Sequence, residues 1–154
     1  DNVNNDKTIE HNIHNTEMPK LLNDELFSEL PPEAISILEH KRQSYVDDMA
    51  KNRSAADIRP EDFYGYEAFL AETLELPDEV YKTLDKEKDL IFTYIRSYCK
   101  DSLSFYFIAI CMHYQMNMEG DDGILIPIFF FPTTDPDLYK KYKQGEKIGG
   151  SAIN

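Results

Sequence analysis

The segment from Leu103 to Phe131 decides the fold, and it reads LSFYFIAICMHYQMNMEGDDGILIPIFFF. It contains two apolar runs, Leu103–Met112 and Ile124–Phe131, which are separated by a polar turn. Burying one large apolar side chain contributes about 1.5–3 kcal/mol, so neither run can remain in water. A membrane-spanning helix needs about 20 apolar residues in succession, and both runs are shorter. We therefore expect both runs to lie in the interior of the protein or in an interface.

The first run is compatible with a helix or with a strand. Its β-branched and aromatic residues are good strand formers, and as a strand it would belong to a hairpin over residues 104–131. The helical alternative, with Ser102 as the N-cap, is supported by a stripe of large side chains at helical spacing. That stripe consists of Leu103, Tyr106, Phe107, Ile110 and Tyr114. Because a hairpin here would be apolar on both faces and would need cover on both, we favour a central helix over residues 103–116.

The second run, Ile124–Phe131, is too short for a helix and is interrupted by Pro127. Proline cannot donate a hydrogen bond to a β-ladder, so within a sheet it is confined to edge strands and bulges. We predict that this run is an extended segment that packs along the central helix.

Proline followed by acidic residues marks the start of several further predicted helices, because proline is tolerated in the first turn and the helix dipole favours acids there. In the helix that begins at Pro32, the apolar stripe faces inward and Lys41 is expected to face solvent. The fold class predicted is mainly α, a single compact domain of five or six helices over residues 19–143. The alternative is α+β with a hairpin at 104–131. Residues 1–18 are predicted to be a disordered leader and residues 144–154 a flexible tail. The helices are expected at residues 19–30, 32–50, 60–74, 77–100, 103–116 and 136–143.

The chain is strongly acidic, with a net charge of -13 and a pI of about 4.6. Direct binding to nucleic acid or to an anionic membrane needs a basic face, so this charge disfavours both. Residues 60–90 contain ten acidic and three basic residues and so carry about half of the net charge. Such a surface steers association with basic proteins. Two cysteines, Cys99 and Cys111, are too few for a disulfide-stapled secreted domain, and we expect buried free thiols in a reducing compartment.

No sequence motif for catalysis or cofactor binding is present: the chain lacks a nucleophile elbow, a glycine-rich phosphate loop, HExxH and CxxC. His113 and the acidic turn at 119–122 are the nearest approach to a metal or acid–base site. As an EF-hand loop this turn fails, because Asp122 stands at the glycine position and Ile128 at the position of the bidentate glutamate. We therefore predict no catalytic residue, no cofactor and no metal.

These observations predict a non-enzymatic, acidic protein–protein interaction module, such as an adaptor, a chaperone or an accessory subunit of a larger assembly. One alternative is an inhibitor or immunity-type protein whose acidic face blocks a basic site. A second is a metal-binding protein or enzyme that uses His113 and the 119–122 carboxylates. The expected partners are other proteins, among them proteins with a basic surface. A homo-oligomer is also consistent with the sequence. No membrane span is expected. The location is expected to be cytoplasmic, or exported if a leader was removed before Asp1. We predict steering of the partner by Glu72, Glu75, Asp78 and Glu79, and apolar contact through Met112, Met116, Ile128, Phe129, Phe130 and Phe131.

Overall fold

The computed structural model describes residues 19–115 and 123–150. Helix and strand take equal shares of this structure, 36% each, so the protein is α+β and the prediction of a mainly α, helical protein is wrong. The strands are β1 (Lys20–Leu21), β2 (Glu79–Leu84), β3 (Leu90–Lys100), β4 (Leu103–Tyr114), β5 (Ile124–Thr133) and β6 (Glu146–Gly149). The helices are α1 (Asp24–Phe27), α2 (Pro32–Asn52), a 3₁₀ helix (Pro60–Tyr66), α3 (Phe69–Glu75) and α4 (Pro136–Lys141).

The six strands form one mixed sheet in the order β1-β5-β4-β3-β2-β6, which curls into a half-barrel. The pairing of β1 with β5 is parallel and the other pairings are antiparallel. Most of the helical structure, including α1, α2 and α4, packs on one face of the sheet. The shorter helix α3 packs on the opposite face through Leu70 and Leu74.

The predicted central helix is instead the central strand β4, which pairs with β3 on one side and with β5 on the other. Ile108, Ile110 and Met112 contribute to the core beneath α2, and Ala109 and Cys111 contribute to the core on the other face. Cover for both faces, which we considered difficult to provide, comes partly from the curl of the sheet. The second core includes Leu21 from one edge strand and Ile148 from the other, so the sheet covers part of itself.

The predicted helix over residues 77–100 is also wrong, because this segment forms the β2–β3 hairpin. Residues 91–95 are all buried. Alternate side chains face the two cores: Ile91 and Ile95 lie in one, and Phe92 and Tyr94 lie in the other. A strand that is buried on both faces reads as a continuous apolar run, and such a run contains helical spacings by chance.

A two-residue turn, Asp101–Ser102, joins β3 to β4, where we expected Ser102 to cap a helix. Both residues have positive φ, 51° for Asp101 and 68° for Ser102. Two positive φ values are what the type I′ turn requires, and this turn matches the twist of the strands that it joins. Asp and Ser are not the residues that best suit this turn, which is why the sequence did not reveal it.

Replacing this turn by asparagine and glycine, Asp101→Asn with Ser102→Gly, is expected to raise the free energy of unfolding by about 1 kcal/mol, since left-handed backbone costs a non-glycine residue about that much. The opposite change, Ser102→Val, is expected to lower it, because a β-branched side chain fits this conformation poorly. Urea unfolding of both variants measures the difference. Equal stability of the two variants would contradict the turn assignment.

Several predictions are confirmed. The helix at Pro32 extends to Asn52, the short helix at Pro136 extends to Lys141, and Ile124–Phe131 is extended, as part of β5. The predicted helix at 19–30 is reduced to β1 and the four residues of α1, and the one at 60–74 is divided into the 3₁₀ helix and α3. Glu146–Gly149, expected in a flexible tail, pair with β2. The leader at 1–18, Met116 and the acidic turn at 119–122 lie outside the described residues. Among the described helices, none combines the length and the apolar character that a membrane span needs.

Candidate functional site: an acidic surface beside an apolar pocket

The residues predicted to make apolar contact with a partner are mostly in the core. Met112, Ile128, Phe129 and Phe131 are buried, whereas Phe130 is half-buried. Met116 lies outside the described residues. Of this set, Phe130 is therefore the described residue with appreciable surface, and the predicted role of the set in partner contact stays a prediction.

The residues predicted to steer a partner are divided between surface and interior. Glu72 and Glu75 are exposed on α3, and Asp78 is half-buried, with its Oδ2 accepting a hydrogen bond from the Ser97 backbone N–H at 2.8 Å. Glu79 is buried, so its carboxylate is not part of the outer surface.

The Glu79 carboxylate connects β2 to α4. Its Oε1 accepts a hydrogen bond from Tyr81 at 2.5 Å, its Oε2 accepts one from Tyr139 at 2.5 Å, and the Lys143 ammonium lies 3.3 Å from Oε1. Burial would raise the pKa of Glu79, but these hydrogen bonds and the ammonium outweigh burial and lower the pKa below its ordinary value. Burial and the bond to Glu79 raise the pKa of Tyr81 to about 12. Both oxygens of the Glu79 carboxylate thus have partners within the protein, and the cluster serves to hold β2 and α4 together.

The segment Pro60–Asp78, which we call the acidic segment, carries six acidic residues and neither lysine nor arginine. Aromatic residues attach it to the sheet: the Tyr66 ring lies 5.1 Å from that of Phe105, and the Phe69 ring lies 4.6 Å from that of Tyr98. Two large side chains nevertheless point outward. Tyr64 is 77% exposed and Leu76 is 60% exposed. From the sequence we expected Tyr64 in the core together with Phe63, Tyr66 and Phe69, and this is wrong for Tyr64, because an outward aromatic in a Phe-Tyr-Gly-Tyr stretch looks the same as an inward one. Leu76 was not singled out.

The carboxylates of the acidic segment are weakly neutralised. Arg59 lies 3.6 Å from both Glu61 and Asp62 in pairs that are exposed on both sides, and such pairs contribute little. Arg96 lies 3.4 Å from Glu72. Glu67 and Glu75 have no ion pair or side-chain hydrogen bond with any residue in the described part of the chain. The outer surface of this segment therefore combines free negative charge with exposed apolar groups.

An apolar pocket of about 290 Å³ adjoins the acidic segment. It lies between α2, the 3₁₀ helix and the strands β4 and β5. Two charged residues that are exposed, Arg42 and Glu67, stand at its mouth. Its volume is at the lower limit for small-molecule sites and is suited to one or two side chains. The apolar lining includes Val46, Met49, Phe63, Phe107, Phe129 and Phe130.

A second acidic group occupies the β2–β3 turn, where Asp85, Glu87 and Asp89 place ligand oxygens within 4.8 Å of one another. This spacing could hold a metal ion, but the ammonium of Lys41 stands among the oxygens at 2.7, 2.6 and 2.5 Å. Lys41 is only 4% exposed, so its predicted solvent position is wrong. The signal for this was the spacing of Leu38, Lys41 and Tyr45, which puts Lys41 within the apolar stripe of α2.

The Lys41 group, defined as Lys41 with Asp85, Glu87 and Asp89, holds all its members in their ordinary charged states. Burial would lower the pKa of Lys41, but the hydrogen bonds from its ammonium to the three carboxylates outweigh burial and raise the pKa above its ordinary value. Burial would likewise raise the pKa of Asp85, but Lys41 and the backbone N–H groups of Asp89 and Glu87 lower it. An internal cation thus fills the position that a metal would need.

The other residues considered for chemistry are His113, the 119–122 carboxylates and the two cysteines. His113 is half-buried on β4 opposite Leu125, and the 119–122 carboxylates lie outside the described residues, so a site that combines them stays a prediction. Both cysteines are free thiols, as predicted, and Cys111 is buried, but Cys99 is exposed, so its predicted burial is wrong. Burial raises the pKa of the Cys111 thiol well above its ordinary value, which makes it unreactive at neutral pH.

Comparison with known proteins gave no match: no family model fits the chain, and neither curated proteins nor solved structures show significant similarity to it.

Proposed function

We propose that this protein is a non-enzymatic interaction module that binds a basic protein partner through the outer surface of the acidic segment. The observation that carries this proposal is the exposure of Tyr64 and Leu76, at 77% and 60%, on a segment with six carboxylates and no lysine or arginine. Exposed tyrosines are common energetic centres of protein interfaces, and clustered charge of one sign steers a partner of the opposite sign.

The two exposed side chains are close enough for one partner to contact both. The Gly65 carbonyl, next to Tyr64, accepts a hydrogen bond from Lys100 at 3.2 Å, and the Leu76 carbonyl accepts one from Arg96. Arg96 and Lys100 are four positions apart on β3. This separation puts the two anchoring residues of β3, Arg96 and Lys100, about 13 Å apart along the strand. An ordinary interface of about 800 Å² on each partner covers that distance.

The direction of the pKa shifts gives no support to acid–base catalysis at the Glu79 cluster or at the Lys41 group. A catalytic base or nucleophile has a pKa moved toward neutrality. In this protein the pKa of Lys41 and of Tyr81 is raised, and the pKa of Glu79 and of Asp85 is lowered. Each of these shifts fixes the ordinary charge state at pH 7 and moves the group away from proton transfer.

The proposal predicts that a surface variant loses its partner while a matched variant keeps it. The surface variant combines Glu61→Gln, Asp62→Asn, Glu67→Gln and Glu75→Gln. The control combines Glu25→Gln, Glu29→Gln, Glu33→Gln and Glu39→Gln, which change the net charge equally on α1, α2 and the turn between them, where these residues are also exposed. Affinity capture from native extract with mass spectrometry compares both variants with the unmodified protein.

We expect a basic protein that is retained by the unmodified protein and by the control, is lost from the surface variant, and elutes at moderate salt because screening weakens the attraction. Tyr64→Ala and Leu76→Ala are each expected to weaken retention about tenfold. Equal retention by all variants would contradict the proposal. If added RNA or DNA competes for the captured protein, the acidic surface blocks a nucleic-acid-binding site, which is the inhibitor form of this function.

A further inference from the structure

The inference that follows rests on the proposed function and concerns how the partner is held. We propose that the partner presents a short segment that inserts one large apolar side chain into the pocket beside the acidic segment and pairs a neighbouring lysine or arginine with Glu67. The pocket and the acidic segment are continuous, because Pro60, Phe63 and Glu67 belong to both.

The interior of the pocket is apolar and supported by the core. Met49, Phe107 and Phe129, which line it, are buried, while Val46, Phe63 and Phe130 are half-buried and remain partly open to solvent. An apolar side chain that enters the pocket would cover these three residues. At about 290 Å³ the pocket accepts a leucine or phenylalanine side chain more readily than a drug-sized molecule.

The backbone of β5 beside the pocket is covered. Ile128, Phe129 and Phe131 are 5%, 6% and 1% exposed. The partner segment therefore contacts the pocket through its side chains and does not add a strand to β5.

The charges at the mouth of the pocket indicate the composition of the segment. Neither Arg42 nor Glu67 forms an ion pair or a side-chain hydrogen bond within the described ranges 19–115 and 123–150. Glu67 can pair with a basic residue of the partner, and the Arg42 guanidinium can donate to a backbone carbonyl of the same segment. A second copy of this chain is a poor occupant, because each copy carries a net charge of -13 and the two acidic surfaces would repel.

Fluorescence anisotropy and methyl NMR with two synthetic probes test this inference on the full chain. One probe is a short fluorescein-labelled peptide with a single leucine between lysines, and the other has serine in place of that leucine. The methyl groups of Val46 and Met49 report on the pocket, that of Leu76 reports on the acidic segment, and that of the buried Leu138 serves as a reference.

We expect the leucine peptide to bind about tenfold more tightly than the serine peptide and to shift the Val46 and Met49 signals. Val46→Phe fills the pocket, and Glu67→Gln removes a charge at an exposed site. Each is expected to lower the affinity for the leucine peptide at least fivefold. Glu33 is exposed and lies about 13 Å along α2 from Arg42, so Glu33→Gln is expected to leave binding of the leucine peptide unchanged.

Equal affinity of the two peptides, with shifts confined to Leu76, would overturn the pocket inference and leave the proposed function standing. Tight binding of the leucine peptide that neither Val46→Phe nor Glu67→Gln weakens would also overturn the inference. Absence of binding by both peptides would contradict the proposed function and, with it, the inference.

Discussion

Replacement of Lys41 by methionine is expected to lower the free energy of unfolding by about 2 kcal/mol at pH 7, because it leaves the mostly buried Asp85 and the half-exposed Glu87 and Asp89 without their shared cation. Lys41 is 4% exposed, and its ammonium is the shared counterion of Asp85, Glu87 and Asp89. It also fixes the β2–β3 turn to the middle of α2. Lys51→Met, at an exposed site near the end of α2, is the matched control and should change stability by less than about 0.5 kcal/mol.

The pH dependence of the Lys41 effect has a definite sign. The pKa of Asp85 and of Glu87 is lowered in the folded protein, so their contribution is present above their ordinary values and is lost as the pH falls through the folded-state pKa. The pKa of Lys41 is raised, so its contribution is present at neutral pH and is lost only in strong alkali. In the Lys41→Met variant the carboxylates repel one another, and acid relieves this repulsion. The stability difference between the two proteins should therefore shrink as the pH falls from 6 to about 3.

Calcium provides a second measure of the Lys41 group. Without the ammonium, three carboxylate groups with oxygens within 4.8 Å of one another would face an unfilled cation position, and Ca²⁺ binds such oxygen ligands. Millimolar Ca²⁺ is expected to raise the melting temperature of Lys41→Met and to leave that of the unmodified protein unchanged. An equal effect on both proteins would contradict the role assigned to Lys41 as the resident cation.

The sequence revealed the apolar segments, the proline-initiated helix α2 and the extended conformation of Ile124–Phe131, because these depend on local composition. It did not reveal the sheet. In β3 and β4 both faces are buried. Residues 91–95 and 107–112 therefore lack the alternation of apolar and polar side chains that distinguishes a strand from a helix. The cover that makes such strands possible comes from Leu21 and Ile148 at opposite edges of the sheet, and a contact of that kind is not visible in any local window.

The candidate site was predictable only in its charge. The excess of acids in residues 60–90 was evident, but this excess forms two surfaces with different roles. In the acidic segment the carboxylates face solvent beside Tyr64 and Leu76, whereas Asp85, Glu87 and Asp89 share ion pairs with Lys41 from another element. Composition cannot separate these cases, because the distinction depends on a partner that is more than forty positions away in the chain.

Replacement of Asp57 by alanine is expected to lower the free energy of unfolding by about 3 kcal/mol and also to weaken partner binding. Asp57 is buried, and its carboxylate accepts hydrogen bonds from the Ile58 N–H at 2.7 Å, the Thr134 N–H at 2.8 Å and the hydroxyls of Thr133 and Thr134 at 2.5 and 3.1 Å. Alanine leaves these donors unsatisfied, and each such loss costs about 1–3 kcal/mol before relaxation and water recover part of it. Asp57→Asn keeps one carbonyl oxygen and should cost about half as much.

The binding effect of Asp57→Ala follows from what this carboxylate holds in place. It fixes the loop between α2 and the 3₁₀ helix to the end of β5, and Phe63 of that 3₁₀ helix packs 6.1 Å from Phe131 and lines the pocket. Loosening the loop should expose the half-buried Arg53 to trypsin and lower the affinity for the leucine peptide. Asp62→Ala, an exposed site in the same region, should change neither stability nor trypsin cleavage appreciably. If Asp57→Ala were destabilised but bound the peptide normally, the 3₁₀ helix would not form part of the binding surface, because its anchor would then be dispensable for binding.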